Sequence, residues 1–451
     1  MAATRERASE SAATADRLPR RLGLWSAIFV AVGSTIGSGI FRVPSTVAAD
    51  IGSLGGLALA WGLGAVVALF GALTLAELSA LYPRSGGVYV FLREAYGPLP
   101  AFLFGWTELL VIRPSALGAI AMIFADYLGH FLPLTDLQIR LVAAGAIALL
   151  AAANIRSVTW GAAVENATTA AKVIALAGLS LIAFVFAHGT GGALSGPFVL
   201  EPRTWGGFGV ALIAVLWAYD GWADLTFMAG EVREPARTLP RALLGGTLIV
   251  MAVYFFANLA YARVLSFGAM EQSKLVAADT ATAVFGAVGA SVVAALVVLS
   301  TFGALNASTM TGPRILFAMA DDGLFFRPIA AVHSRWRTPW TAIALAALLG
   351  IGYVSIRSFE QLADAFILGI WPFYALAVGA IFILRRARPD AERPYRCWGY
   401  PAVPLVFLLA SVALLGNALV QQTRETALGF GIILAGVPVF YLWRALGGAR
   451  L

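Results

Sequence analysis

Three glycines in seven residues interrupt the first long apolar run of this chain, in Gly33-Ser34-Thr35-Ile36-Gly37-Ser38-Gly39. Glycine disfavours a helix by about 1 kcal/mol per residue relative to alanine. Inside a bilayer no water can satisfy a freed backbone, so a broken helix survives there only where it lines a cavity or is buried in protein. Glycine and serine also serve as close-packing residues in membrane helices. A second interruption, Trp217-Ala218-Tyr219-Asp220-Gly221-Trp222, lifts the first above that ordinary reading. There an acid sits beside a glycine at mid-span, which marks a functional site by default. Two breaks at corresponding places in two halves of a chain are a sequence pointer to a transporter's binding site.

Composition supports the membrane reading. Of 451 residues, 60% are hydrophobic and 12% charged, and the mean hydropathy is +0.83. The expected fold is an all-α polytopic membrane protein with twelve transmembrane helices. The spans lie near 23–48, 54–81, 98–130, 138–155, 160–187, 208–230, 241–265, 281–318, 338–355, 360–384, 402–421 and 427–445. Several exceed the roughly 20 residues a crossing needs, so they tilt, break or extend past the bilayer. Residues 1–20 read as a disordered cytoplasmic tail. Residues 21–200 form a first five-helix repeat and 201–385 an inverted second repeat, with the breaks in helices one and six. Residues 386–451 hold a cytoplasmic loop and helices 11 and 12.

The arginines set the orientation. With both termini in the cytoplasm, inner segments hold 22 of the 31 Lys and Arg, and outer segments hold 6. That asymmetry is a strong positive-inside signal. It also accounts for the net charge of +7 as topology, not nucleic-acid binding. The partner expected from this topology is the lipid of a cell membrane. The cluster Arg385, Arg386, Arg388, Arg393 and Arg396 could also touch anionic lipid.

Helix dipoles point to the ligand. The half-helix that begins near Gly39 presents free N–H groups with positive partial charge, which suits a carboxylate. The half-helix that ends near Trp217–Tyr219 presents carbonyls, which suit an ammonium. A site with both describes an α-amino acid. Its carboxylate is expected on N–H groups around Ser38 and Gly39, and its ammonium on carbonyls of Thr35, Trp217 and Asp220. Ile36, Gly37, Ala218, Tyr219 and Gly221 complete the substrate-binding set, with Trp217 as an aromatic cover.

Five further stretches carry a family resemblance. Gly37-Ser38-Gly39-Ile40-Phe41 resembles the first-helix motif of the amino acid–polyamine–organocation (APC) superfamily. Glu231-Val232-Arg233-Glu234-Pro235-Ala236-Arg237-Thr238-Leu239-Pro240 is similar to its loop after helix six, and Pro83-Arg84-Ser85-Gly86-Gly87-Val88-Tyr89 to its loop after helix two. Arg393-Pro394-Tyr395-Arg396-Cys397-Trp398-Gly399-Tyr400-Pro401 and Ser300-Thr301-Phe302-Gly303-Ala304-Leu305-Asn306 resemble its loop before helix eleven and its eighth helix. The subgroup implied is the bacterial relatives of L-type amino acid transporters. Val88 and Trp217 depart from it, standing where many relatives carry an acid or small polar residue and a Phe. The resemblance implies a secondary active permease of a bacterial inner membrane that works by alternating access, as exchanger or proton symporter, with neutral amino acids as substrates.

Lys172 is one of only two lysines among 29 arginines, and it lies deep in the fifth span. It resembles the helix-five lysine of L-type and some proton-coupled relatives. An ammonium there ties the first half-helix to helix eight through backbone carbonyls and a hydroxyl such as Ser300. It could be a permanent tether or could release a proton. Asp220 could select a cationic side chain, cap the broken helix, or pair with a neighbouring cation. Arg42 and Asp364 fall where distant transporters of this fold close an outer gate, and independent vestibule charges are the equal alternative. Glu77, Glu108 and Arg113 are expected to satisfy polar groups between helices.

Other classes find little support. His130, His188 and His333 fall in loops or at span ends, so no metal site is expected. No Walker pattern and no nucleophile–base pattern is present, so no enzymatic activity and no cofactor is expected. A non-transporting amino acid sensor would use the same pocket. The animal L-type relatives link to a heavy chain through a cysteine after helix three; residues 131–137 hold none, so no disulfide-linked heavy chain is expected.

Overall fold

Each apolar run closes into helix, since the helix is the structure that pairs all its backbone groups within one segment. The computed structural model describes residues 18–37, 39–186, 192–195, 198–200, 202–273, 275–421 and 423–445. Most of the tail expected over 1–20, together with Ser38 and His188, lies outside the described residues. In chain order the α-helices are α1 (Leu24–Thr35), α2 (Gly39–Ile51), α3 (Leu54–Leu81), α4 (Val88–Tyr96), α5 (Pro98–Thr107), α6 (Arg113–Leu128), α7 (Asp136–Arg156), α8 (Val158–Phe186) and α9 (Trp205–Tyr219). They continue as α10 (Asp224–Phe227), α11 (Pro235–Val264), α12 (Phe267–Gln272), α13 (Val276–Thr311), α14 (Pro313–Asp321), α15 (Trp340–Ile356), α16 (Phe359–Ala387), α17 (Ala402–Gln421) and α18 (Thr423–Ala445). Among the described residues, ten segments are long and apolar enough to cross a membrane. The runs expected at 208–230 and 338–355 give the shorter apolar helices α9 and α15. α9 is short because its run is cut at Asp220.

The outward faces suit lipid. Leu181, Val288, Leu348 and Val412 are each at least 65% exposed. Water tolerates few contiguous apolar patches of that kind. Inside, helices pack closely around α13, which lies against α8, α6 and α7.

Buried charges come in pairs. The Arg314 Nε donates to Glu231 Oε1 at 2.9 Å, and both side chains are essentially inaccessible. Arg314 also donates to the Met310 carbonyl. This contact fixes α14 to the segment after the second break. Removing one partner of a buried pair typically costs about 3–5 kcal/mol. Glu231→Ala is therefore expected to lower the thermal midpoint in detergent by several degrees, while Glu392→Ala, at an exposed position, leaves it unchanged.

Glu77 makes a second anchor. Its carboxylate accepts from Arg385 at 2.6 and 2.9 Å and from the Cys397 N–H at 2.6 Å. It thereby holds the loop before α17 against α3. Cys397 itself is buried, with its thiol 3.8 Å from the Thr74 hydroxyl. The end of the expected tail also packs. Leu18 is buried beside Leu316 and Phe317, and Arg21 and Leu22 donate backbone bonds to the Glu231 carbonyl. Leu18 packs because an apolar residue there finds a matching cluster.

Candidate functional site

Both expected breaks are present, and they touch. α1 ends at Thr35; the Gly37 N–H turns back to the Thr35 carbonyl at 2.8 Å, and α2 restarts at Gly39. α9 ends at Tyr219, after which Asp220 is extended and Gly221 has φ +112°. A Cβ on Gly221 would lie 2.6 Å from the backbone of Ser34 and Thr35, and one on Gly39 would lie 2.6 Å from Cα of Ala218. The two interruptions therefore meet backbone to backbone, which only glycine permits. The Tyr254 hydroxyl of α11 sits 2.9 Å from both the Thr35 and the Ala218 carbonyls, one on each break.

A pocket opens at this junction. Ser34, Thr35, Gly37 and Gly39 line it from the first break, and Trp217, Asp220 and Gly221 from the second. Arg113, Ile120, Ser308 and Phe366 face them from α6, α13 and α16. The Trp217 ring packs edge-on against Phe366, with centroids 5.0 Å apart, and lies 6.4 Å from Phe359. The Arg42 guanidinium stacks over Phe359 at 4.6 Å, a cation–π contact. Arg42 on α2 is thus joined to the first turn of α16, the helix that carries Asp364.

The pocket's charges are locally occupied. A π-turn, Glu108–Ile112, presents Arg113, and such turns are frequent at functional sites. The Arg113 Nε donates to Glu108 at 2.7 Å and its Nη1 to the Ser308 hydroxyl at 2.7 Å. Asp220 Oδ1 accepts from the Tyr374 hydroxyl at 3.0 Å, and Asp224 from Thr311 at 2.9 Å.

Behind the pocket lies a second polar centre. Lys172 on α8 is buried, and its Nζ donates to the carbonyls of Gly33 at 2.7 Å and Ile36 at 2.6 Å. The Ser300 hydroxyl of α13 lies 3.4 Å from the carbonyls of Ile36 and Gly37. Lysine and serine thus take up carbonyls freed at the end of α1, which otherwise would be buried without donors. Glu165, two turns earlier on α8, is also fully buried. It accepts from Thr169 at 2.9 Å and from Asn306 at 3.2 Å.

The family model for amino acid permeases matches residues 22–443. The chain belongs to the amino acid permease family. The permease is thus a multi-pass membrane transporter of the APC superfamily and not an enzyme. It is 34% identical to the serine/threonine exchanger SteT of Bacillus subtilis (strain 168), over 94% of this chain and 97% of that protein. It is 32% identical to the human b(0,+)-type amino acid transporter 1, over 94% and 88%. It is also 32% identical to the rat large neutral amino acids transporter small subunit 2, over 94% and 81%.

Of the expected substrate residues, the permease brings Thr35, Gly37, Gly39, Trp217, Asp220 and Gly221 to one pocket. Ile36, Ala218 and Tyr219 stand behind it. Ile36 is fully buried, and the Tyr219 ring turns away to meet Trp61 at 5.6 Å. Trp217, Ala116, Ile120 and Phe366 supply the apolar lining, and Ile36 and Tyr219 do not. Arg113, Ser308, Tyr254, Tyr374 and Glu165 were not among the expected site residues. Their signal was present in part: Glu108, Arg113 and Glu165 are charges within apolar runs. Among the described residues, no three His, Cys, Asp or Glu side chains gather as a metal site.

Proposed function

We propose that this permease exchanges neutral L-amino acids of small to medium size by alternating access. The observation that carries the reading is the junction of the two breaks. The start of α2 and the end of α9 flank one pocket, so a carboxylate and an ammonium are favoured on opposite sides. In this reading twelve helices cross the membrane with both termini cytoplasmic. Residues 21–200 and 201–385 form inverted repeats, and 386–451 add a loop and two helices. Trp217 covers the substrate, Lys172 and Ser300 hold the first half-helix, and Arg42 with Asp364 forms the outer gate.

Neutral selectivity rests on local compensation. A free carboxylate at about 4 Å would attract a cationic side chain by about 4 kcal/mol at an effective dielectric of about 20. Asp220 instead accepts the Tyr374 hydroxyl, and Arg113 shares the pocket. Two of the related proteins are named for serine and threonine and for large neutral amino acids. The competing reading, in which Asp220 selects cationic amino acids or amines, draws on the two carboxylates that line the pocket, Asp220 and Asp224.

Proteoliposomes decide between them. Serine, threonine, alanine and leucine are expected to compete for labelled uptake into amino-acid-loaded vesicles, with arginine at least about tenfold weaker, or 1.4 kcal/mol. Empty vesicles should take up little, and a pH gradient should not change that. Asp220→Asn should keep this order. Arginine as the best wild-type substrate, lost in Asp220→Asn while leucine transport survives, would make Asp220 the selector. Binding without any uptake would make the protein a sensor.

A further inference from the structure

Glu165 has no part in the transport scheme above, yet it sits against α1. A Cβ on Gly33 would fall 1.6 Å from its Oε1, so the carboxylate presses on the backbone of α1. The Gly33 carbonyl is the one that Lys172 holds at 2.7 Å. Acid and ammonium thus bracket the same residue, from the same face of α8. Both side chains are at most 1% exposed.

Each is the charged neighbour of the other. α8 is packed by α13, α11, α1 and α7. α1 carries no titratable side chain, and α13 carries only Asp279, in its first turn. α11 carries Arg237, Arg241, Tyr254, Tyr261 and Arg263, and α7 carries Asp136, Arg140 and Arg156. Lys172 and Glu165 attract one another electrostatically. A lone buried ion is expensive and tends to neutralise itself by losing or gaining a proton. A buried pair is net neutral and has no such need, whereas removing one partner leaves an uncompensated charge.

We propose that Glu165 is the fixed counter-charge of Lys172, and that this pairing keeps the lysine a tether and so withholds proton coupling from the permease. Glu165 is a positioning residue that acts through Lys172. With the pair intact, no group at the end of α1 gains or loses a proton as the half-helix moves. The counter-transported amino acid then remains the driving force. This inference rests on the exchange reading above. Without the carboxylate, Lys172 Nζ can release one proton to water on one side and regain one from the other in each cycle.

The test uses reconstituted wild type, E165Q, E165D and the double variant E165Q/K172Q. Wild type is expected to exchange labelled serine or leucine in loaded vesicles without proton flux to an internal pH dye. Empty vesicles should stay empty even when the outside is acidic. E165Q should gain gradient-driven uptake into empty vesicles. An inward gradient of about one pH unit supports about tenfold accumulation per proton carried. E165D keeps the negative charge and should behave as wild type. E165Q/K172Q should lose the gain. If E165Q is recovered poorly, the double variant decides. A lone cation predicts that K172Q restores folding, whereas a purely structural bond to Thr169 and Asn306 predicts that it does not. An E165Q that exchanges as wild type and ignores the gradient overturns this inference alone. Gradient-driven uptake by wild type overturns the exchange reading and this inference together.

Discussion

Lys172→Ala is expected to abolish transport while the protein still folds. The substitution removes two charge-assisted bonds, to the carbonyls of Gly33 and Ile36. Bonds of that kind contribute about 1.5–3 kcal/mol each, and a buried acceptor left without a donor costs about 1–3 kcal/mol. The loss falls on the end of α1, a half-helix of 12 residues whose position defines one wall of the pocket. A few kcal/mol there corresponds to at least about a hundredfold in the population of the competent arrangement. Uptake in loaded vesicles should fall to background, with a thermal midpoint lowered by several degrees because Glu165 is left without its counter-charge. Lys172→Arg should not rescue it, since a planar guanidinium does not replace a compact ammonium between two carbonyls. Uptake within about twofold of wild type in Lys172→Ala would show that the carbonyls find other donors.

Gly39→Val should be equally severe, for a steric reason. Its Cβ would stand 2.6 Å from Cα and 2.7 Å from Cβ of Ala218. The nearest obstacle is backbone, so α2 and α9 must separate. A shift of about 1 Å in positioning can cost about a hundredfold in rate where geometry is set by rigid elements. A graded series tests this. Gly37→Ala meets only the Ala304 methyl at 3.3 Å, and Gly62→Ala meets nothing within 4 Å. Substrate affinity and uptake should fall in the order Gly62, Gly37, Gly39. Normal affinity in Gly39→Val would remove the junction of the breaks from the binding site.

What could be read from the sequence was what is local. Gly33, Gly37 and Gly39 act on their own backbone, and so does the Asp220-Gly221 pair, so both interruptions were placed within a residue or two. Lys172 was conspicuous for a similar reason: a charge in an apolar run must be answered nearby. What answers it is not local. Arg113 meets Ser308 and Glu165 meets Asn306 across more than 140 positions. Tyr254 bridges Thr35 and Ala218 from a helix that itself looks like an ordinary apolar span. Such partners depend on how helices pack, which periodicity in one helix does not encode. The π-turn before Arg113 is invisible for another reason. It inserts a residue into a helix just before Pro114, where a proline reads equally well as a kink or a helix start, and it alters which face Arg113 presents. The same blindness reversed Tyr219, whose position beside the break suggested a pocket wall although its ring found Trp61.

The burial of Cys397 has a practical consequence. It is the only cysteine in the 451 residues, and its thiol is enclosed beside Thr74 while its own N–H is held by Glu77. The native protein therefore presents no reactive sulfur to a bulky maleimide, and no background has to be engineered away. A cysteine placed at exposed Trp25, on α1 before the break, would be the sole site for a fluorophore or spin label. Paired with a second label on α8, it would turn the release of the half-helix into a distance that spectroscopy can follow while substrate is added.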